Sequence, residues 1–212
     1  MSLSVFVAER DQYNFLLGRM VEIDPWKTLK IEYERILERF QSDADRIVLF
    51  STNFDSKFDF EKDRQAISGL VAFKYKGVPE LLERICPDLL ASFLEKNKLA
   101  AGDVFDGEED IGDKRRALFS YVNALAVFPE YQKKGIGKYL LEKAESMSYA
   151  HFASVGQKNG ELWNFLFVSS FNLNAQEFYT KKMGYERIGQ VRDMILSGYD
   201  EILLVKKIVD RA

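Results

Sequence analysis

The chain has 212 residues, 47% of them hydrophobic and 14% aromatic, with 30 Lys and Arg against 33 Asp and Glu. A chain this long and this apolar buries a substantial core, which excludes a disordered protein. The net charge of −3 and pI near 5.4 exclude a general attraction to nucleic acid or anionic membrane. One cysteine, Cys86, rules out an internal disulfide. The single histidine, His151, has no neighbouring Cys or His, so neither a metal site nor a Ser-His-Asp triad is expected. The N-terminus lacks a basic region followed by a long apolar run, and the longest mostly apolar run, 117–128, is too short to cross a bilayer. A soluble, cytoplasmic protein with no membrane or nucleic-acid partner is the expectation.

In chain order, residues 3–8 form a short strand-like run, and Asp11 is placed to cap the helix after it. Between 11 and 41 the apolar positions Phe15, Leu16, Met20, Ile23, Leu29, Tyr33, Ile36, Leu37 and Phe40 keep a helical period, broken at Asp24-Pro25. Two helices with a bend are predicted there. Residues 46–51 and 66–75 are rich in strand formers and joined by the polar stretch 52–64, so they predict an antiparallel pair ended by Gly77-Val78-Pro79. A helical portion, 80–97, follows. The acidic stretch 102–113 carries no strand signal and predicts a loop.

Residues 117–128 predict a central strand covered on both faces. A helix over 136–149, a polar connection at 156–160 and a strand over 162–168 complete a unit whose order implies a right-handed crossover and parallel pairing. Asn174 and Glu177 stand in capping-box spacing before a helix that ends at Gly184. Strands over 185–194 and 199–208 meet at Ser197-Gly198 as a hairpin. With no internal repeat, the chain predicts one α/β domain, a mixed sheet flanked by helices over 1–212.

The chemistry concentrates after the central strand. Pro129 removes a backbone donor and stops the strand, and Gly135 and Gly137 leave no Cβ where a ligand would lie against the backbone. Helical spacing of Ile136, Leu140, Leu141 and Ala144 starts a helix there, whose free N–H groups and positive dipole end sit among Lys133, Lys134 and Lys138. Those elements make an anion cradle suited to a pyrophosphate.

The six residues Gln132-Lys133-Lys134-Gly135-Ile136-Gly137 resemble the acyl-CoA pyrophosphate loop of the GNAT superfamily of N-acetyltransferases. A second block is similar to that family's other diagnostic segment: Val168, Asn172, Ala175, Phe178, Tyr179, Lys182, Gly184 and Tyr185. The resemblance is close over 117–185 and holds elsewhere by element order. It implies a GNAT-like fold with an insertion at about 78–116, between the third and fourth strands. It also implies direct transfer of an acetyl group from acetyl-CoA, the co-substrate, to a primary amine of a small molecule or peptide, with no metal.

Carried over residue by residue, the resemblance implies that Gln132, Lys133, Lys134, Gly135, Ile136, Gly137 and Lys138 hold the pyrophosphate. Backbone groups of Leu125 and Val127 would pair with the pantetheine arm, and the N–H near Leu125 would face the thioester oxygen as an oxyanion-hole donor. Tyr179 falls where the family has its general acid, and a phenol is protonated at neutral pH. Asn172 would bond the pantetheine or the helix start. Trp26, Tyr121 and Asn123 are candidates for the acceptor side, and the oligomeric state is left open, a homodimer among the options.

The chain departs from the pattern at the base. Some members carry Glu four residues before the position of Leu125, where Tyr121 stands here. Water relayed by Tyr121, Asn123 or a carbonyl, an acid from the insertion, and an acceptor arriving deprotonated all stay open. Asp103, Asp106, Glu108, Glu109 and Asp110 lean toward a cationic acceptor. Two other function classes compete. A nucleotide enzyme lacks its Gly-Lys-Ser/Thr and its Asp-rich magnesium motif here. An acyl-CoA sensor without transfer would have little use for Tyr179.

Overall fold

A computed structural model describes residues 3–23, 26–27, 33–52, 58–101, 115–155, 160–195 and 197–209. The predicted bend at Asp24-Pro25, the acidic stretch 102–113 and most of the 156–160 connection lie outside them. The fold is mixed α/β, with a mixed sheet flanked by helices. Contacts divide the chain into two compact units, residues 1–73 with 123–144, and residues 74–122 with 145–212.

The first unit holds β1 (Ser4–Val7), α1 (Tyr13–Met20), α2 (Tyr33–Ser42), β2 (Ile47–Thr52), α3 (Phe60–Asp63) and β3 (Ile67–Lys74) up to Phe73. β1, β2 and β3 pair antiparallel in sequence order, through Val5↔Ser51 and Leu49↔Val71. Tyr13, Leu16, Leu17 and Met20 recur on one face of α1 and are buried with Val48, Phe50, Leu70 and Phe128. Full burial of each such side chain is worth about 1.5–3 kcal/mol. The cap before α1 differs from the expectation. A 3₁₀ turn at Arg10–Gln12 precedes the helix, so Asp11 lies inside that turn; Glu9 caps the turn, its N–H donating to Gln12 Oε1 at 3.1 Å, and Gln12 stands at the N-cap of α1. The polar stretch expected as a plain loop contains α3, capped by the Asp59 carboxylate, which accepts from Glu61 N at 3.1 Å.

The second unit opens with α4 (Val78–Ile85) and α5 (Pro87–Asn97) where one helix was expected. The break has a local cause: Pro87 disfavours helical backbone at Cys86, which adopts φ −149° and ψ 59°. β4 (Leu99–Ala101), absent from the sequence expectation, pairs parallel with the start of β5 (Arg115–Val127) through Leu99↔Arg115. Three residues are too short a run to show a period. β5 also pairs parallel with β6 (Glu161–Ser169), from Ala117↔Glu161 to Val122↔Leu166, as expected. β6 pairs antiparallel with β8 (Asp200–Ile208), which pairs antiparallel with β7 (Glu186–Arg192).

Alternation sorts this sheet's faces. Phe119, Tyr121, Phe165, Leu203 and Val205 are buried with Val78, Leu82, Leu90 and Phe93 of α4 and α5. The long helix α6 (Ile136–Ser154) starts in the first unit and enters the second at Glu145. The helix α7 (Leu173–Glu177) continues into a π-helical turn, Phe178–Lys182. Its cap is Asn172, whose Oδ1 accepts from Ala175 N at 3.2 Å; the expected Asn174–Glu177 box does not form, and Glu177 pairs instead with Lys181 at 2.6 Å. Among the described residues no helix is long and apolar enough to cross a membrane.

Candidate active site

The cradle belongs to the first unit, and its geometry follows from how β5 ends. Gly69 of β3 lets that strand lie against β5: a Cβ there would sit 2.5 Å from the Ala126 carbonyl oxygen and 3.2 Å from Val127 Cα. Phe128 N donates to the Ser68 carbonyl at 3.0 Å, and a 3₁₀ turn, Pro129–Tyr131, then reverses the chain. Lys133 adopts φ 61° and Gly135 φ 81° before α6 begins at Ile136. Ile136 is 1% exposed and anchors the helix, while residues 132–135 are exposed. The first intrahelical bond runs from Tyr139 N to the Gly135 carbonyl at 3.0 Å. The N–H groups of Ile136, Gly137 and Lys138 therefore have no acceptor within the helix and are free to meet an anion.

The space over Gly135 fits that use, since a Cβ built there meets nothing within 4 Å. The exposed Lys134 donates to the Glu130 carbonyl at 2.9 Å, with its ammonium 5.4 Å from the Tyr131 ring. Gln132 Nε2 donates to the Val127 carbonyl at 3.1 Å. That bond engages one of the backbone groups expected to face pantetheine, so the two would compete. Leu125 and Val127 lie on the same strand in this unit. Trp26 packs partly buried against the unit's core, and Asn123 Oδ1 is buried with no hydrogen-bond donor among the described residues.

One residue that the sequence did not single out fixes the turn. Arg19 of α1 donates through Nη1 to the Ile67 carbonyl at 2.9 Å, pairs through Nη2 with Glu130 at 2.5 Å, and lays its guanidinium 3.8 Å over Phe128. Glu130 is half exposed, so the ion pair is worth about 0–1 kcal/mol; the carbonyl bond and the ring contact, about 1 kcal/mol each, carry more. Arg19→Met should therefore raise the KM for acetyl-CoA roughly tenfold, about 1.4 kcal/mol, through a loosened turn. A steady-state titration of acetyl-CoA checks this, and an unchanged KM would detach Arg19 from the loop.

Asn172, Tyr179 and Tyr121 belong to the second unit. With its oxygen engaged in the α7 cap, Asn172 serves the helix start, one of its two expected roles. Tyr121 is 8% exposed, its ring 6.0 Å from that of Phe167. Tyr179 is 8% exposed in the π-helical turn, its ring 5.1 Å from Phe178 and 5.8 Å from Tyr185. Burial pushes its hydroxyl well above the ordinary tyrosine value, so it is firmly protonated. A buried phenol of this kind donates a proton or a hydrogen bond and does not serve as a base.

The second unit also buries a carboxyl that sequence reasoning passed over. Glu201 on β8 is 1% exposed and accepts from Ser169 Oγ at 2.6 Å. Burial raises its pKa, and the Ser169 bond offsets only part of that. A raised carboxyl pKa means that the folded chain holds the proton more tightly than the unfolded one. Its stability contribution is then most favourable at low pH and falls as pH rises through the carboxylate range. Glu201→Gln should remove this fall, making the variant more stable than the parent at pH 8 and not at pH 4 in urea unfolding; a parallel pH dependence would contradict the assignment.

Among the described residues there is no group of three or more His, Cys, Asp or Glu placed to hold a metal.

Residues 95–187 match the model of the acetyltransferase (GNAT) domain. Over those residues the chain is similar to that domain. The matched span contains the cradle, Asn172, Tyr179 and Tyr185. The fold is similar to that of Arabidopsis thaliana NAA60 in complex with acetyl-CoA, at TM-score 0.62 and 16% identity, over 98% of this chain and 99% of that one. The same protein with a bisubstrate analogue gives TM-score 0.62 and 18% identity, over 98% and 100%. Chaetomium thermophilum Naa20 in complex with a bisubstrate analogue gives TM-score 0.54 and 19% identity, over 97% and 86%. No curated protein matches the sequence.

Proposed function

We propose that this protein is a GNAT acetyltransferase that moves the acetyl group of acetyl-CoA directly to a primary amine of a peptide or small molecule. The observation that carries the reading is the loop at residues 132–138. An exposed left-handed glycine, open space above it and three unpaired first-turn N–H groups are combined in one place. That arrangement suits a pyrophosphate, and the neighbouring lysines add charge. NAA60, which shares this fold, is described with acetyl-CoA, and both NAA60 and Naa20 with bisubstrate analogues.

In this reading Gln132 to Lys138 hold the pyrophosphate through backbone N–H groups, and the backbone of Leu125 and Val127 aligns the pantetheine arm. The N–H near Leu125 stabilises charge on the thioester oxygen as the amine adds. Tyr179 protonates the thiolate as the C–S bond breaks, its burial keeping the proton on the phenol until then; the proton that the amine loses as the C–N bond forms passes to solvent, from which the phenol is restored. Trp26, Tyr121 and Asn123 are proposed for the acceptor side.

Free-thiol release from acetyl-CoA, measured over peptides with different N-termini, polyamines, amino acids and aminoglycosides, tests the reading. Acceleration by at least one amine supports it and names the acceptor class. Cofactor binding with no acceleration by any of them would make the protein an acyl-CoA sensor.

A further inference from the structure

A buried polar cluster that the transfer chemistry does not itself require lies against Tyr185, whose ring meets that of Tyr179. Tyr185 is 3% exposed, and its hydroxyl donates to Glu145 Oε1 at 3.1 Å. Glu145, on α6, is 4% exposed and accepts both a 2.7 Å and a 2.8 Å bond from Lys206 Nζ on β8. The Lys206 side chain is 11% exposed, and its ammonium lies 5.4 Å from the Tyr185 ring. Tyr185 immediately precedes β7, which pairs with β8 from Glu186↔Val205 onward. Two charged groups from two elements, Glu145 of α6 and Lys206 of β8, thus converge on one tyrosine.

Tyr185 in turn holds the segment that carries Tyr179. Its N–H donates to the Tyr179 carbonyl at 3.0 Å, and the two rings meet at 68° with centroids 5.8 Å apart. Between them lies the π-helical turn, where the backbone bond from Met183 N reaches the Phe178 carbonyl, and then Gly184 at φ 74°. Such a turn is rare and less well supported by its own backbone than an α-helix, so its geometry depends on what grips its ends. A buried ion pair adds little net stability over an apolar replacement. What Glu145 and Lys206 supply is direction: a fixed acceptor for one hydroxyl.

We propose that Tyr185 is a positioning residue for the acetyl transfer, pinned by Glu145 and Lys206 so that it holds the π-helical turn and sets where the Tyr179 hydroxyl stands. This inference rests on the reading of Tyr179 as the general acid.

The test is a double-mutant cycle with the amine that turns over best in the acceptor panel. Tyr185→Phe should lower kcat about 10-fold to 100-fold, as expected for a misplaced acid, with the KM for acetyl-CoA within about twofold. Because Tyr185 acts through Tyr179, Tyr179→Phe/Tyr185→Phe should be no slower than Tyr179→Phe. Glu145→Leu with Lys206→Met removes the acceptor of Tyr185 while replacing both charges by apolar groups, and should reproduce the Tyr185→Phe kinetics even if that variant folds poorly. Full kcat in either variant, or losses that multiply in the double mutant, would overturn the positioning role. Unchanged kcat in Tyr179→Phe would instead overturn the acid reading itself, and the inference with it.

Discussion

Tyr179→Phe is expected to lower kcat by about 100-fold or more, the usual contribution of a positioned acid, with acetyl-CoA affinity within about twofold of the parent. The substitution deletes one oxygen from a side chain that is 8% exposed, so packing against Phe178 and Tyr185 survives. No described residue hydrogen-bonds this hydroxyl, so removing it orphans no described partner, and little stability should be lost. Steady-state kinetics with direct calorimetric measurement of acetyl-CoA binding separates the two effects. An equal loss of turnover and affinity would mean that Tyr179 shapes the binding site without donating the proton.

The second large effect is expected at Gly135. At φ 81° a β-branched side chain costs about 1–3 kcal/mol, and its added atoms enter the space over the loop where the pyrophosphate is proposed to lie. Gly135→Val should weaken acetyl-CoA binding at least tenfold, about 1.4 kcal/mol, from the combined strain and blockage. Gly198 provides the control. It has φ 89° and open space around it, in the connection between β7 and β8. Gly198→Val carries similar strain, so it should cost similar stability and leave acetyl-CoA affinity unchanged. Equal affinity losses in both variants would reduce the Gly135 effect to general destabilisation.

Local signals carried most of the fold and one part of the site. The period of Ile136, Leu140, Leu141 and Ala144 marked the start of α6, and the strand-helix-strand order gave the parallel β5–β6 pair. The candidate cradle at Gln132–Gly137 stood out because a phosphate cradle of the kind proposed is built from contiguous backbone. Misplaced caps show the limit of that logic: Asn172 and Asn174 are equally plausible by spacing, and only the entry angle of the chain decides for Asn172.

What stayed hidden depends on side chains far apart in sequence. Arg19 reaches Glu130 across 111 positions, Lys206 reaches Glu145 across 61, Tyr185 reaches Glu145 across 40, and Ser169 reaches Glu201 across 32. In sequence each reads as an ordinary surface charge or hydroxyl, because polarity predicts exposure until a partner removes the cost of burial. The stretch 78–101 shows both cases. The helical period over 80–97 runs across Pro87, which splits it into α4 and α5, and β4 exists only because Leu99–Ala101 finds the start of β5 beside it. The acidic residues 103–110, on which the leaning toward a cationic acceptor rests, lie outside the described residues.

The most direct measurement follows the acetyl group itself. Incubation with acetyl-CoA carrying a ¹³C-labelled acetyl group, together with the amine panel, can be read by mass spectrometry for labelled amide and by thiol reagent for free CoA. Direct transfer predicts labelled N-acetyl amine and free CoA in equal amounts, both dependent on the acceptor and both sharply reduced in Tyr179→Phe. Bound acetyl-CoA with its label retained, or released only as free acetate whichever amine is present, would contradict acetyl transfer as the function of this chain.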